Sequence, residues 1–394
     1  MSRAIPEDFS LAGNDTPAHA FGTYAELRGR CPVAHTEDYG GYWALTRHDD
    51  VRAAATDAEL FISSVKAVVP SDPRGIRRPP LNFDAPRHTP FRRALARTLS
   101  RNRVEQIVAQ LRPRARELFA DFAAGKDRDI AKTFGTLLPA YAASFWLNLD
   151  PERVEWLATT ATAWVDAWRR QDGTEVGRRS EEMYGVARWL VADRAAHPQD
   201  AKLDPASSLL GERPGGEPLD HELVVGALRQ SLVVGMVAPP LLIGAMAGHL
   251  AGDRELHGVL RADPTARPAA AEEFIRLFTP YRGFARTVSR PTRIRGTEIR
   301  PGEPVTLVYA AANRDPEVFE NPDEFIPGRP NIDQHLGFGK GRHQCVGMHL
   351  ARGVINVALE AIVEGCTGLE LVGEPVPTRM PELGYQSVEV AVVS

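Results

Sequence analysis

Cys345 lies in a stretch running from Phe338 through Gly339, Lys340, Gly341, Arg342, His343 and Gln344 to Cys345, Val346 and Gly347. A helical pattern follows at once. Val354, Val357, Ala358, Ala361 and Ile362 fall on one face, and Gly365 ends it. A cysteine in a glycine-rich loop just before a helix meets backbone N–H donors and the positive end of the helix dipole. Both favour thiolate over thiol. Gly339 and Gly341 permit the tight backbone that aims those donors at sulfur. Gly347, without a Cβ, leaves room for a flat macrocycle against the helix, and Phe338 can shield the sulfur from water.

Other readings of these residues are weaker. His335, His343, Cys345 and His349 lie close in sequence, as zinc ligands do. Structural zinc usually pairs cysteines at short spacing and closes with four ligands. Only one thiol stands here, and zinc would leave the glycines without a purpose. Cys31 and Cys366 read as inert, buried small side chains. Three cysteines without a CxxC pair make no disulfide framework and fit a reducing cytoplasm.

The pattern Phe338-Gly339-x-Gly341-x-His343-x-Cys345-x-Gly347 resembles the haem-binding signature of the cytochrome P450 family. Glu273 and Arg276 stand at i, i+3 spacing on an expected helix, where they can pair, and they resemble the family's Glu-x-x-Arg element. The resemblance adds Arg329 as the third member of a buried ion network behind the haem. It extends from residues 42–46 to a hairpin around Gly384 and Tyr385. It implies haem b, with Cys345 as the axial ligand of the iron. It also implies that His88, Arg92, Arg286 and His343 hold the two propionates, with Phe338, Gly339 and Gly347 completing the cofactor site. The implied fold is mainly α with a smaller β region, one domain over residues 1–394. The implied activity is insertion of oxygen into a small, hydrophobic or aromatic substrate, with electrons from a separate ferredoxin and ferredoxin reductase. An electron-rich axial sulfur favours O–O cleavage.

One element departs from the family pattern. Members typically carry an acid and an alcohol on the long helix above the haem. Anchored on Leu232, Val233 and Val234, the matching stretch is Gly235, Met236, Val237, Ala238 and Pro239. Ala238 then stands for the acid and Pro239 for the alcohol. A one-residue slip puts Val237 and Ala238 there instead. No side chain in either register can relay a proton. Gly235, Met236, Ala238 and Pro239 are therefore expected to form a distal groove. Carbonyls freed by Pro239 and Pro240 would hold water in it, and the helix would kink. Two alternatives follow within enzymes: a peroxide-driven oxygenase, and a catalyst that rearranges its substrate without net oxygen insertion. A non-catalytic haem sensor or docking protein is the alternative from another class. Pocket walls are expected at residues 65–83, Val234, Val237, Ala238, Phe284 and Tyr385, with Arg282 pointing elsewhere. Lys340, Arg342 and Arg352 form a candidate dock for an acidic electron donor.

The elements that must position these residues are legible more coarsely. The 394-residue chain is 25% charged with a net charge of −4, and no basic excess points to nucleic acid or an anionic membrane. Lysines number five while arginine is abundant, which reads as genome composition. Met1 to Asp8 shows no apolar core of a signal peptide or anchor. Residues 232–248 are almost wholly apolar but shorter than the ~20 residues of a membrane span. Pro239 and Pro240 interrupt them, so a helix buried on all sides is expected. Residues 24–28 read as helix and 42–46 as strand, and Asp49 and Asp50 are expected to cap a helix through Val51. Helical periodicity dominates from His88 to Ile275. Strands return at residues 304–308 and 387–392.

Overall fold

The computed structural model of the protein describes residues 7–14, 16–71 and 76–393. The expectation of an N-terminus without a signal peptide falls mostly on residues 1–6, outside the described residues. Residues 72–75 of the expected pocket loop also lie outside them.

Local chemistry sets where the first elements begin. Helix α1 (Pro17–Arg30) starts behind Thr16, whose hydroxyl accepts from the His19 N–H, with Pro17 at the first helical position. Strands β1 (Val33–Thr36) and β2 (Tyr42–Leu45) pair antiparallel. In α2 (His48–Thr56) the expected caps Asp49 and Asp50 sit inside the first turn. Arg47 is the N-cap residue, and the Asp315 carboxylate accepts the His48 N–H at 2.8 Å. A distant residue has taken over the capping role. The short β3 (Phe61–Ile62) follows.

The middle of the chain is helical: α3 (His88–Arg97), α4 (Arg101–Ala124), α5 (Phe134–Leu147), α6 (Arg153–Arg169), α7 (Gly173–Ala196), α8 (Pro205–Leu210), α9 (His221–Val234), α10 (Ala238–Gly252), α11 (Arg254–Ala262) and α12 (Arg267–Leu277). Carboxylates of Asp172, Asp204, Asp220 and Asp253 cap α7, α8, α9 and α11. Left-handed Asn148 closes α5.

The expected kink near the two prolines is a full break. Helix α9 ends at Val234, Gly235 to Val237 make a turn, and α10 begins at Ala238. Pro239 and Pro240 occupy the first turn of α10, where an N–H would have no intrahelical partner. The prolines therefore start a helix rather than bend one. The run His221–Gly252 is long and apolar enough to cross a membrane by length and composition, but 67% of its apolar window is buried in the protein.

After α12 come β4 (Phe284–Val288), β5 (Thr292–Ile294), β6 (Thr297–Ile299), β7 (Pro304–Leu307), α13 (Tyr309–Ala312) and α14 (Met348–Gly365). Strands β8 (Gly368–Leu371), β9 (Val376–Pro377), β10 (Tyr385–Ser387) and β11 (Val390–Val393) end the chain. The main sheet has the order β1-β2-β7-β4-β3, with β2 and β7 parallel, so it joins early and late segments. The strand expected over residues 387–392 is split. Ser387 belongs to β10, which pairs with β9, and Val390 opens β11, which pairs with β8. Helix α14 buries Val354, Val357, Ala358, Ala361 and Ile362 in the largest core cluster. Each fully buried Val or Ile stabilises the fold by about 1.5–3 kcal/mol.

Candidate active site

The cysteine loop is a set of tight turns anchored at both ends. The Cys345 N–H donates to the Phe338 carbonyl at 2.9 Å, and the Gly339 N–H donates to Leu336 at 2.8 Å. Gly341 adopts φ 71°, and a Cβ there would stand 2.2 Å from the Ala55 carbonyl oxygen at the end of α2. Only glycine satisfies both demands. Gly347 is the N-cap residue of α14, and a Cβ there would meet nothing nearer than the Cys345 Sγ at 4.0 Å. The helix start is thus flanked by open room on the side of the sulfur.

Cys345 lies deep in the molecule, yet its side chain keeps accessible surface, because it borders an internal space. Burial pushes its thiol up. The Gly347 N–H and the charges of Arg92 and Arg352 pull it down without winning. The helix start alone therefore does not produce the thiolate. Coordination to a metal ion would, since a coordinating thiol is deprotonated outright.

Four basic side chains converge on the same region from three parts of the chain. His88 and Arg92 lie on α3, Arg286 on β4 and His343 in the cysteine loop. Burial first, then Arg92 and Arg342, hold the His88 imidazole down at about 4. Burial, then Arg286 and His88, hold His343 at about 3. Their Nε2 atoms are buried without a hydrogen-bond partner. Among the described residues the one carboxylate acting on the two histidines is Asp84, 3.8 Å from His343 Nε2. Its oxygens are already engaged by the N–H groups of Ser63 and Ser64, both at 2.9 Å. With Arg92 partly buried, Arg286 buried, two histidine Nε2 atoms without partners and one acid already engaged, the group is short of negative charge. It suits a ligand with two carboxylates.

Behind the loop, Glu273 and Arg276 on α12 form a bidentate pair at 2.7 and 2.8 Å, and Arg329 Nε donates to Glu273 at 2.8 Å. All three are buried. The remaining guanidinium N–H groups donate to carbonyls of Asn313, Pro322, Asn321 and Glu324. Burial works against the Glu273 charge, but these donors and the Ile326 N–H hold its carboxyl below the ordinary range. Every polar atom the network needs is paired within the protein, so it offers a ligand nothing.

On the distal side the turn between α9 and α10 separates the expected groove residues. Val234, 46% exposed, Gly235, Ala238 and Pro239 keep accessible surface. Met236 and Val237 are buried and line a narrow cleft with Ala131, Thr136, Val165, Asp166 and Arg169 of neighbouring segments. Met236 and Val237 are thus buried, while Gly235, Ala238 and Pro239 keep accessible surface. The phase of α9 is not carried through the turn. Phe284 and Tyr385 are partly accessible, and Tyr281, unremarked in the sequence, packs on Phe284 at 5.1 Å. Arg282 is fully buried and donates to the Glu382 carbonyl at 3.1 Å.

Other residues named from the sequence are placed as follows. Cys366 is buried, whereas Cys31 is only half-buried. Among the described residues no group of three or more His, Cys, Asp or Glu is placed to hold a metal ion. His335 is committed to Glu272. Arg352 donates to the same carboxylate. Asp84 and Glu272 were missed because their partners lie far away in sequence. The signal that could have found Glu272 is its place directly before Glu273 on one helix.

A deep cysteine, two arginines with two buried neutral histidines near it, and an apolar helix turn suit an anionic cofactor with a metal for the sulfur. A family model described as Cytochrome P450 matches residues 268–388, from α12 through the cysteine loop and α14. The mycinamicin IV hydroxylase/epoxidase of Micromonospora griseorubida is 31% identical over 367 residues, covering 89% of each chain. The linalool 8-monooxygenase of Pseudomonas putida is 28% identical over 360 residues, covering 86% of this chain and 87% of that one. Among solved structures, a Mycobacterium marinum cytochrome P450 in complex with pseudoionone superposes with a TM-score of 0.88 at 25% identity, covering 99% of this chain and 100% of that one. The chain belongs to the cytochrome P450 family. It is a monooxygenase whose cofactor is haem b.

Proposed function

We propose that Cys345 is the axial ligand of the haem iron and that His88, Arg92, Arg286 and His343 hold its two propionates. The chain, one domain over residues 1–394, acts in the cytoplasm. It oxidises a small hydrophobic or aromatic substrate with electrons from a separate ferredoxin and its reductase. The observation that carries this reading is the convergence of four basic side chains, with one engaged carboxylate between them, on the space that Cys345 borders. Bound haem b supplies redox-active iron at which oxygen can be transferred to carbon. The protein's part is to present a sulfur ligand, neutralise the propionates and exclude water. Val234, Ala238, Phe284 and Tyr385 supply an apolar wall for the substrate. Relatives named for linalool and for a steroid support a largely hydrocarbon substrate.

Reduced protein treated with carbon monoxide tests the ligand. The red-shifted Soret band of thiolate ligation is expected in the native protein, in Cys31→Ala and in Cys366→Ala, and not in Cys345→Ala. A Cys345→Ala protein that kept the band would overturn the assignment. A second reading, a peroxide-driven oxygenase, is favoured by Ala238 and Pro239, which keep accessible surface at the distal turn and carry no transferable proton. Parallel turnover assays with a ferredoxin system and with hydrogen peroxide separate the two.

A further inference from the structure

Three side chains behind the cysteine loop form a closed unit that the reaction as described does not use. Glu272, on α12 beside the buried Glu273, accepts two hydrogen bonds from Arg352 Nε at 2.9 Å and one from Arg352 Nη2 at 2.5 Å. The same carboxylate is 2.7 Å from His335 Nε2. His335 Nδ1 accepts the Gly337 N–H at 3.1 Å, which leaves Nε2 to donate to Glu272. Gly337 directly precedes Phe338, where the loop begins. The Arg352 guanidinium lies 4.7 Å from the centre of the Phe338 ring. One carboxylate thus holds the loop through His335 and seats a cation on the aromatic ring at the loop's start.

The pair is also oriented. Burial opposes the Glu272 charge, but His335 and Arg352 hold its carboxyl down at about 2, so it is anionic at neutral pH. Arg352 is the member of the pair seated on Phe338, whose carbonyl accepts the Cys345 N–H at 2.9 Å, and its charge pulls the Cys345 thiol down. The dipole therefore presents its positive end to the sulfur. The side chains are only 31% and 19% exposed, so water screens this field incompletely.

We infer that Glu272 is a positioning residue that fixes Arg352 over Phe338, and that the Arg352 charge held there raises the reduction potential set at the Cys345 sulfur. The inference rests on Cys345 being the iron ligand. A nearby cation stabilises the reduced, more negative state of a redox centre and weakens electron donation by the sulfur. Removing it should do the opposite.

Redox titration of the haem-loaded protein and its variants tests this. Arg352→Gln should shift the potential negative, and Arg352→Lys, which keeps the charge without the planar fork, should recover part of the shift. Glu272→Gln gives the deciding sign. If Glu272 positions Arg352, the freed guanidinium moves into solvent and the potential falls, as in Arg352→Gln. If Glu272 is merely a nearby negative charge, its loss raises the potential and the inference is overturned. An Arg352→Gln protein at the native potential overturns it as well. Should Arg352→Gln fail to load haem, Arg352→Lys and Glu272→Gln still carry the comparison. The carbon monoxide spectrum separates the levels. A native protein without the thiolate band would sink the ligand assignment, whereas an intact band with unmoved potentials would sink this inference alone.

Discussion

The imidazole rings of His88 and His343 lie 4.6 Å apart at an interplanar angle of 57°, with two arginines beside them. Two protonated imidazoles at that distance would repel each other, so in the protein alone both stay neutral. Burial and the neighbouring cations lower the His88 pKa from 6.5 to about 4. A histidine whose folded pKa is depressed contributes stability above its unfolded pKa and loses it as pH falls. Between pH 6.5 and about 4 the unfolded chain binds the extra proton, so stability rises with pH across that window. Each tenfold difference in proton affinity is worth about 1.4 kcal/mol, which puts the whole effect on the order of 3 kcal/mol. Thermal midpoints of the apoprotein should fall as the pH is lowered through this range. Propionates supply the missing anions, so the holoprotein should show a shallower fall, and His88→Gln should make the apoprotein curve shallower while His343 keeps its share.

Glu273→Ala should remove the centre of the buried network and leave Arg276 and Arg329 as buried cations without their acid. Breaking a buried ion pair in this way typically costs ~3–5 kcal/mol, a large part of a domain's usual stability. Little soluble, haem-loaded protein is expected. Normal yield with a native thermal midpoint would show that the network is dispensable.

Two glycines of the loop should fail in different ways. Gly341→Ala places a Cβ 2.2 Å from the Ala55 carbonyl oxygen at a φ of 71°, and a left-handed residue alone costs of order 1–3 kcal/mol. That variant should be unstable with or without haem. Gly347→Ala meets only the Cys345 Sγ, at 4.0 Å. Its apoprotein should melt like the native one, while its affinity for haem falls. Calorimetry of the apoproteins, followed by haem titration, tells the two apart.

At the distal turn, Val234 and Ala238 share the accessible side while Val237 is buried. Ala238→Thr should therefore place a hydroxyl where a proton is wanted. Positioned acid–base groups commonly contribute ~10²–10⁴-fold in rate. The native protein should show peroxide-supported turnover and waste reducing equivalents with a ferredoxin system. Ala238→Thr should raise product formed per electron pair consumed. Tight coupling in the native protein without peroxide activity would show that protons arrive by another path.

What could be read from the sequence followed from how local each feature is. The cysteine loop is one continuous segment, and its glycines, cysteine and following helix constrain one another within a few turns. Glu273 and Arg276 were equally legible, being neighbours on one helix face. The burial of Met236 and Val237 was not, because helical phase predicts orientation only while the helix continues, and Gly235 to Val237 reset it. The Asp315 cap on α2 and the grip of Glu272 on Arg352 join residues 267 and 80 positions apart. Such pairings depend on how elements pack, and no local pattern announces them.

The four basic side chains facing the cysteine come from α3, from β4 and from the loop before α14. During synthesis, His88 and Arg92 leave the ribosome some 250 residues ahead of His343. No partial chain owns more than a fragment of the grip. An emerging N-terminal segment would hold an anionic macrocycle by two cations at most, and without the sulfur. Cofactor capture is thereby a late event, open only to chains in which both ends have already found each other. Haem content in a cell would then count completed molecules and not merely translated ones.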